Sequence, residues 1–197
     1  MDHRPQDQAA GVDEQVTSVL REAIPKPRAI VYVSCNPATL ARDVARLGRA
    51  DRPPTPRELL QFVARLRELS GGKPTGFKLA IGHPWEWFGI AKAMHETGIL
   101  PDFIVVDGSE GGTGAAPAEF MEHVGVPMHE GLMLVHNTLV GLGLRERIRI
   151  AAAGKVVSAF DIARTLAMGA DWCNAGRGFM FAVGCIQAQT CHTDRCP

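Results

Sequence analysis

An α/β fold with a parallel sheet, arranged as roughly the last four βα units of a (β/α)8 TIM barrel, is predicted by two features of this 197-residue chain. The first is alternation. Four short apolar runs, Phe77–Ile81, Phe103–Val106, Ile148–Ala151 and Trp172–Asn174, are each followed by a helix-patterned stretch, and alternating strand and helix implies parallel strands. The second is where the polar and glycine-rich turns fall. They follow every run: Gly82-His-Pro, Asp107-Gly-Ser-Glu-Gly-Gly-Thr-Gly114, Ala153-Gly-Lys155 and Gly176-Arg-Gly178. A barrel collects its chemistry at the C-terminal ends of several strands, whereas an open doubly wound sheet concentrates it at one switch point. Four units are half of eight, so this part of the chain is expected to expose strand edges unless something covers them.

In chain order, residues 13–23 read as a polar helix, Ala29–Val33 as a strand and Ala38–Leu47 as a short helix. Three prolines within residues 53–56 then interrupt any regular element. The boundary predicted there separates a short N-terminal βα appendage, residues 1–54, from the main unit, residues 55–197. Beyond it, Thr55-Pro56-Arg-Glu58 supplies an N-cap, a proline at the first helical position and a capping-box glutamate. Leu59, Phe62, Val63, Leu66 and Leu69 follow at helical spacing, and Gly71-Gly72 stops the helix. The four apolar runs and their helices come next. His129 and His136 lie seven apart on one such helix, a spacing that defines no metal pair, and Cys173 reads as a core residue of the last strand.

Composition excludes several classes of function. With 46% apolar residues, 21 basic and 21 acidic side chains and zero formal net charge, the chain offers no basic face of the kind that nucleic acid or an acidic membrane requires. No run reaches the roughly 20 apolar residues of a membrane-spanning helix, and Met1-Asp-His-Arg-Pro-Gln-Asp-Gln has no apolar signal region. A cytoplasmic setting is the expectation, where thiols stay reduced and available as ligands.

Three of the five cysteines fall in the last thirteen residues, as Cys185-x5-Cys191-x4-Cys196. Closely spaced thiolates suit an iron–sulfur cluster or zinc. Zinc sites favour C-x2-C pairs, which are missing here. Three thiols without a nearby fourth favour a cluster lacking one iron corner.

Residues 55–197 also resemble the C-terminal half of the FMN-binding synthase domain of glutamate synthase and the shorter glutamate synthase-like proteins. The matching pieces are Gly76-Phe-Lys78-Leu, Asp107 through Gly-Gly-Thr-Gly-Ala-Ala-Pro117, the Ala-Ala-Gly-Lys155 loop, Ala167-Met-Gly-Ala-Asp171, and Gly184-Cys185 through Cys-His-Thr-Asp-Arg-Cys-Pro197. The resemblance implies a [3Fe-4S] cluster on Cys185, Cys191 and Cys196 beside FMN. It implies reduction of 2-iminoglutarate, formed from 2-oxoglutarate and free or glutamine-derived ammonia, with ferredoxin or an NADPH-dependent subunit as electron donor. Lys78 would contact the flavin pyrimidine or the substrate carboxylate; the bland alternative is a strand lysine with its head in water. Gly111, Gly112, Thr113 and Gly114 would bring backbone N–H groups to the cofactor, and Glu110 would polarise ammonia or an imine. Gly154, Lys155, Gly176 and Arg177, after the last two strands, would hold the phosphate.

A second resemblance lies in the N-terminal segment. Ile30-Val-Tyr-Val-Ser34-Cys35-Asn36-Pro37 through Asp43 is similar to the catalytic motif of RNA 5-methyluridine methyltransferases, in which the cysteine attacks the uracil ring. It covers about residues 24–48, without the cofactor loop expected before it, so a chimeric or fused chain with an orphaned Cys35 is expected. The functional alternatives are therefore a non-catalytic cluster-binding or regulatory module, or an RNA methyltransferase remnant.

Overall fold

The computed structural model describes residues 30–32, 55–108 and 125–188. Five strands, β1 (Ile30–Tyr32), β2 (Thr75–Leu79), β3 (Phe103–Asp107), β4 (Arg149–Ala153) and β5 (Trp172–Asn174), form one sheet. Every neighbouring pair is parallel, and the spatial order β1-β2-β3-β4-β5 is the order of the chain. Strictly sequential order has no switch point, which selects the barrel arc over the doubly wound sheet. The fold is a partial (β/α)8 barrel. Its first strand comes from the N-terminal segment: Ile30, Val31 and Tyr32 pair with Thr75, Gly76 and Phe77.

The first helix, α1 (Pro56–Leu69), forms as its sequence requires. Thr55 accepts from the Glu58 amide, the Glu58 carboxylate accepts from the Thr55 amide at 2.7 Å, and Pro56 takes the first helical position. Leu59, Leu60 and Val63 are its buried residues. Gly71 and Gly72 follow with left-handed φ of 73° and 84°, ending the helix where the glycine pair predicts. The second helix, α2 (Pro84–Thr97), starts at a proline and stops at Gly98, whose N–H bonds the Met94 carbonyl. The third, α3 (Met128–Gly141), carries His129 and His136. The fourth, α4 (Ala159–Ala167), is closed by a Ser158–Asp161 capping box, and α5 (Gly176–Ala182) follows β5 almost at once.

The helices cover one face of the sheet. Phe77, Ile104, Val106, Ile150 and Ala152 point into a core with Leu60, Val63, Trp87, Met94, Leu132, Val135 and Leu139. At about 1.5–3 kcal/mol for each fully buried large apolar side chain, this layer dominates the fold's stability. Alternate residues point the other way, and Phe103, Val105, Ala151 and Ala153 form a second apolar cluster on that face. A Cβ at Gly76 would lie 2.1 Å from the Phe103 carbonyl oxygen and 2.6 Å from its ring. Glycine is therefore what lets Phe103 lie against β2.

Two aspartates anchor the N-terminal ends of the strands. Asp102, just before β3, accepts from the Thr75 amide at 2.7 Å and from Arg67 Nε and Nη2 at 3.0 and 2.8 Å. Asp171, just before β5, accepts from the Ile150 amide at 2.7 Å, Arg145 Nη2 at 2.8 Å and Arg149 Nη1 at 3.0 Å. Each ties a loop, a neighbouring strand and an arginine together. These contacts account for strand limits that apolar patterning misplaces. β2 begins at Thr75 rather than Phe77 because Thr75 is engaged by the Asp102 loop, and β4 begins at Arg149 because Ile148 still donates to Leu144 in the preceding turn.

The last unit is thinly covered. Thr165 is the only buried residue of α4, α5 buries none, and Phe160, Leu166, Phe179, Val183 and Ile186 are exposed. Among the described residues no helix is long and apolar enough to cross a membrane.

Candidate functional site

The second sheet face meets the strands' C-terminal ends at a small set of polar groups. Lys78 stands opposite Val105 in the register, and Asp107 lies one inward-facing position further along β3. Their side chains form an ion pair, each about one-fifth exposed. Lys78 is thus neither an unpaired core charge nor a lysine with its head free in water. An ammonium has three donors, so pairing with Asp107 leaves two for a ligand. Partial burial strengthens these contacts relative to water.

Asp107, Ala153 and Asn174 form one row across β3, β4 and β5. Below it run Val105, Ala151 and Trp172, with Phe103 deeper still, its ring 6.0 Å from that of Trp172. These two rings lie on strands separated by β4, and the short Ala151 side chain lets them approach. The face therefore has an apolar floor and a polar upper row. Cys173 turns to the helix side, where burial pushes its thiol up from the usual value. It is a packing residue, as its position in the strand predicts.

The loops above the row converge. The Gly108 N–H donates to the Ala153 carbonyl at 3.0 Å. Gly154, at φ 126°, lies so close that a Cβ there would be 3.3 Å from the Gly108 nitrogen, and Lys155 follows it with φ 48°. A Cβ at Gly178 would be 3.0 Å from the Val157 carbonyl oxygen. The turn after β4, which carries Gly154 and Lys155, therefore packs against the first turn of α5, which begins with Gly176 and Arg177. Lys155 is exposed and Arg177 half-buried.

Cys185 follows α5 directly, with a half-buried free thiol and its N–H bonded to the Met180 carbonyl at 2.9 Å. Cys191 and Cys196 lie outside the described residues, as do Glu110, Gly111, Gly112, Thr113, Gly114 and Cys35. His136 sits at the opposite end of the sheet from Lys78, where its Nδ1 accepts from Arg145 Nε at 3.2 Å. Trp172 and Asn174 are residues of this face that sequence reasoning did not single out, and Asp107 entered it only as the start of the glycine-rich loop. Strand alternation carried the signal, since Asp107 is two residues beyond Val105 and Asn174 two beyond Trp172.

An arc of sequentially ordered parallel strands, helices outside, with a charged pair and convergent glycine turns at the C-terminal ends, has the form of a (β/α)8-barrel enzyme's working face. Residues 54–197 match the conserved region in glutamate synthase, and the chain belongs to the glutamate synthase family. It is 47% identical over 142 residues to the glutamate synthase large subunit-like protein YerD of Bacillus subtilis, covering 72% of this chain and 27% of that protein. It is 43% identical over 142 residues to ferredoxin-dependent glutamate synthase 1 of Arabidopsis thaliana, covering 71% of this chain and 8% of that one. The chain thus spans about a quarter or less of the length of these relatives. Among solved structures, a mutant flavocytochrome b2 with pyruvate bound superposes with a TM-score of 0.54 at 14% identity, over 92% of this chain and 46% of that one, a likeness of fold. The family match starts at residue 54 and leaves the Cys35 segment outside it.

Proposed function

We propose that this chain contributes an FMN-binding, iron–sulfur part of a glutamate synthase-type oxidoreductase that reductively aminates 2-oxoglutarate through 2-iminoglutarate, the nitrogen coming from free or glutamine-derived ammonia. The observation that carries the reading is the Lys78–Asp107 pair set beside the convergent turns after β3, β4 and β5. The donor set suits FMN. Gly154, Lys155, Gly176 and Arg177 offer backbone N–H groups and cations for a phosphate dianion, and Gly111 to Gly114 add backbone donors. The free Lys78 donors suit the electron-rich pyrimidine edge or a substrate carboxylate. Cys185, Cys191 and Cys196 form a soft three-thiolate set suited to a [3Fe-4S] cluster.

When bound, FMN supplies hydride transfer and the cluster supplies single electrons. The chain's own residues position and stabilise. Lys78 places positive charge where anionic character develops, and Asp107 holds the ammonium in line. The apolar floor of Val105, Ala151 and Trp172 keeps water from beneath the ligand. Glu110 is assigned to polarising ammonia or the imine. Electrons would come from ferredoxin, the donor named for the Arabidopsis relative, or from an NADPH-dependent subunit.

Anaerobically purified full-length chain is expected to show flavin absorbance and to contain iron and sulfide, with iron lost in Cys185→Ser. A colourless, iron-free protein that takes up neither group on reconstitution would sink the proposal. Nothing among the described residues adds to a methyltransferase reading; β1, from that segment, is a strand of the barrel sheet.

A further inference from the structure

We infer that Asn174 is the side chain that holds the polyhydroxylated linker of the flavin mononucleotide, between its phosphate and its ring. This rests on FMN occupying the C-terminal face as proposed above, and it assigns a contact to a residue that neither the motifs nor the glycine turns single out.

Orientation is the first argument. Trp172 lies in tilted contact with Phe103, a member of the second apolar cluster, while Cys173 packs with the helix-side core. Successive residues of a strand point to opposite faces, so Asn174 returns to the face of Lys78 and Asp107. Its level is the second. Asn174 pairs with Ala153, and Ala153 with Asp107, which puts all three in the uppermost row.

The lateral position follows from strand spacing. At about 4.8 Å per strand, Asn174 stands roughly 10 Å from Asp107 across β4. It also stands two residues before Gly176 and three before Arg177. A ligand with its phosphate at Gly176 and Arg177, the start of α5, and its ring at Lys78 would run its linker past Asn174 and over Ala153. Ala151 and Ala153 are the inward-facing side chains of β4 beneath that path, so a methyl group is the most that rises from β4. The Asn174 carboxamide is exposed and, among the described residues, has no hydrogen-bond partner. With two donors and an acceptor, it matches a chain of hydroxyl groups, each of which both donates and accepts. A carboxylate at the same position could still accept from hydroxyls but would repel a phosphate dianion.

The test titrates full-length wild-type, Asn174→Ala and Asn174→Asp proteins with FMN, following flavin fluorescence, with thermal melts by circular dichroism as a folding control. Asn174→Ala is expected to bind FMN about 5–10-fold more weakly, the loss of one hydrogen bond, with an unchanged melt because the side chain is exposed. Asn174→Asp should stay within about threefold of wild type. Competition of inorganic phosphate with FMN should give the same inhibition constant for Asn174→Ala and wild type. Undiminished FMN affinity in Asn174→Ala overturns the inference. So does an Asn174→Asp protein that binds more weakly than Asn174→Ala, since that places the side chain against the phosphate. A wild-type chain that binds no FMN fails the cofactor reading itself and the inference with it, an outcome distinct from the variant results.

Discussion

Replacing Asp171 with alanine removes three hydrogen bonds at the N-terminal end of the sheet, and the structure sets their weights. The Ile150 amide, bonded at 2.7 Å, lies within a covered parallel sheet and would be left without this partner, at about 1–3 kcal/mol. Arg145 is the more buried of the two arginines, with its side chain 14% exposed. Stranding one member of a fully buried pair costs about 3–5 kcal/mol. Asp171 is itself about one-fifth exposed, and Arg145 keeps the Ile148 and Gly169 carbonyls and His136, which reduces that part to about 1–2 kcal/mol. Arg149 is 62% exposed, and its bond to Asp171 contributes within about 0.5 kcal/mol. The expected loss is about 3 kcal/mol. With a urea m-value near 2 kcal/mol/M, the midpoint falls by about 1.5 M at unchanged slope. Urea denaturation followed by circular dichroism measures it, with Arg145→Ala and Arg149→Ala run alongside. A loss below about 1 kcal/mol for Asp171→Ala, or equal losses for the two arginine variants, would refute this ranking.

Gly76→Ala drives a Cβ into the Phe103 carbonyl and ring; the expected outcome is a loss of about 3 kcal/mol or more, or failure to accumulate as folded protein, read by the same denaturation or by soluble yield. Burial pushes the Asp171 carboxyl up, but the Ile150 amide, Arg149 and Arg145 together outweigh it and hold it below its ordinary value. Its stabilisation is therefore complete above the unfolded-state value near pH 4 and drains away as pH falls through the lower folded-state value. Denaturation midpoints in that acidic range should depend less on pH in Asp171→Asn than in wild type. Amide exchange is expected to be fastest, among the described helices, in α4 and α5, where one residue and none are buried; slower exchange there than in α3 would contradict it. Lys78→Met should weaken FMN binding at least tenfold, with a modest loss of stability as the Asp107 carboxylate loses its ammonium partner, and equal affinity in the folded variant would remove Lys78 from the ligand contacts.

Much of this architecture could be read before any coordinates. The α1 capping box is set by Thr55 and Glu58, three residues apart, and the glycine stop by Gly71 and Gly72, because caps and breakers act within one helical turn. The four apolar runs announced the four strands of the main unit, although their edges were set elsewhere. Asp102 reaches back across 27 residues to Thr75, and Asp171 across 21 to Ile150, distances over which periodicity carries no information. The site divides in the same way. Lys78 and the turns at Gly154 and Gly176 stood out as residue types in unusual company, whereas Asn174 looked like an ordinary polar strand end.

The sequence alone determined the kinds of element, their order and their caps in the main unit, since each is written in neighbouring residues. Tertiary structure decided three things. It made the strand order sequential, it brought Ile30–Tyr32 into the sheet beside β2, and it paired Lys78 with Asp107 on the face shared by Asn174. All three depend on strand register, which is set by packing between distant segments. A shift of one residue would turn Lys78 or Asp107 to the helix side and dissolve the site.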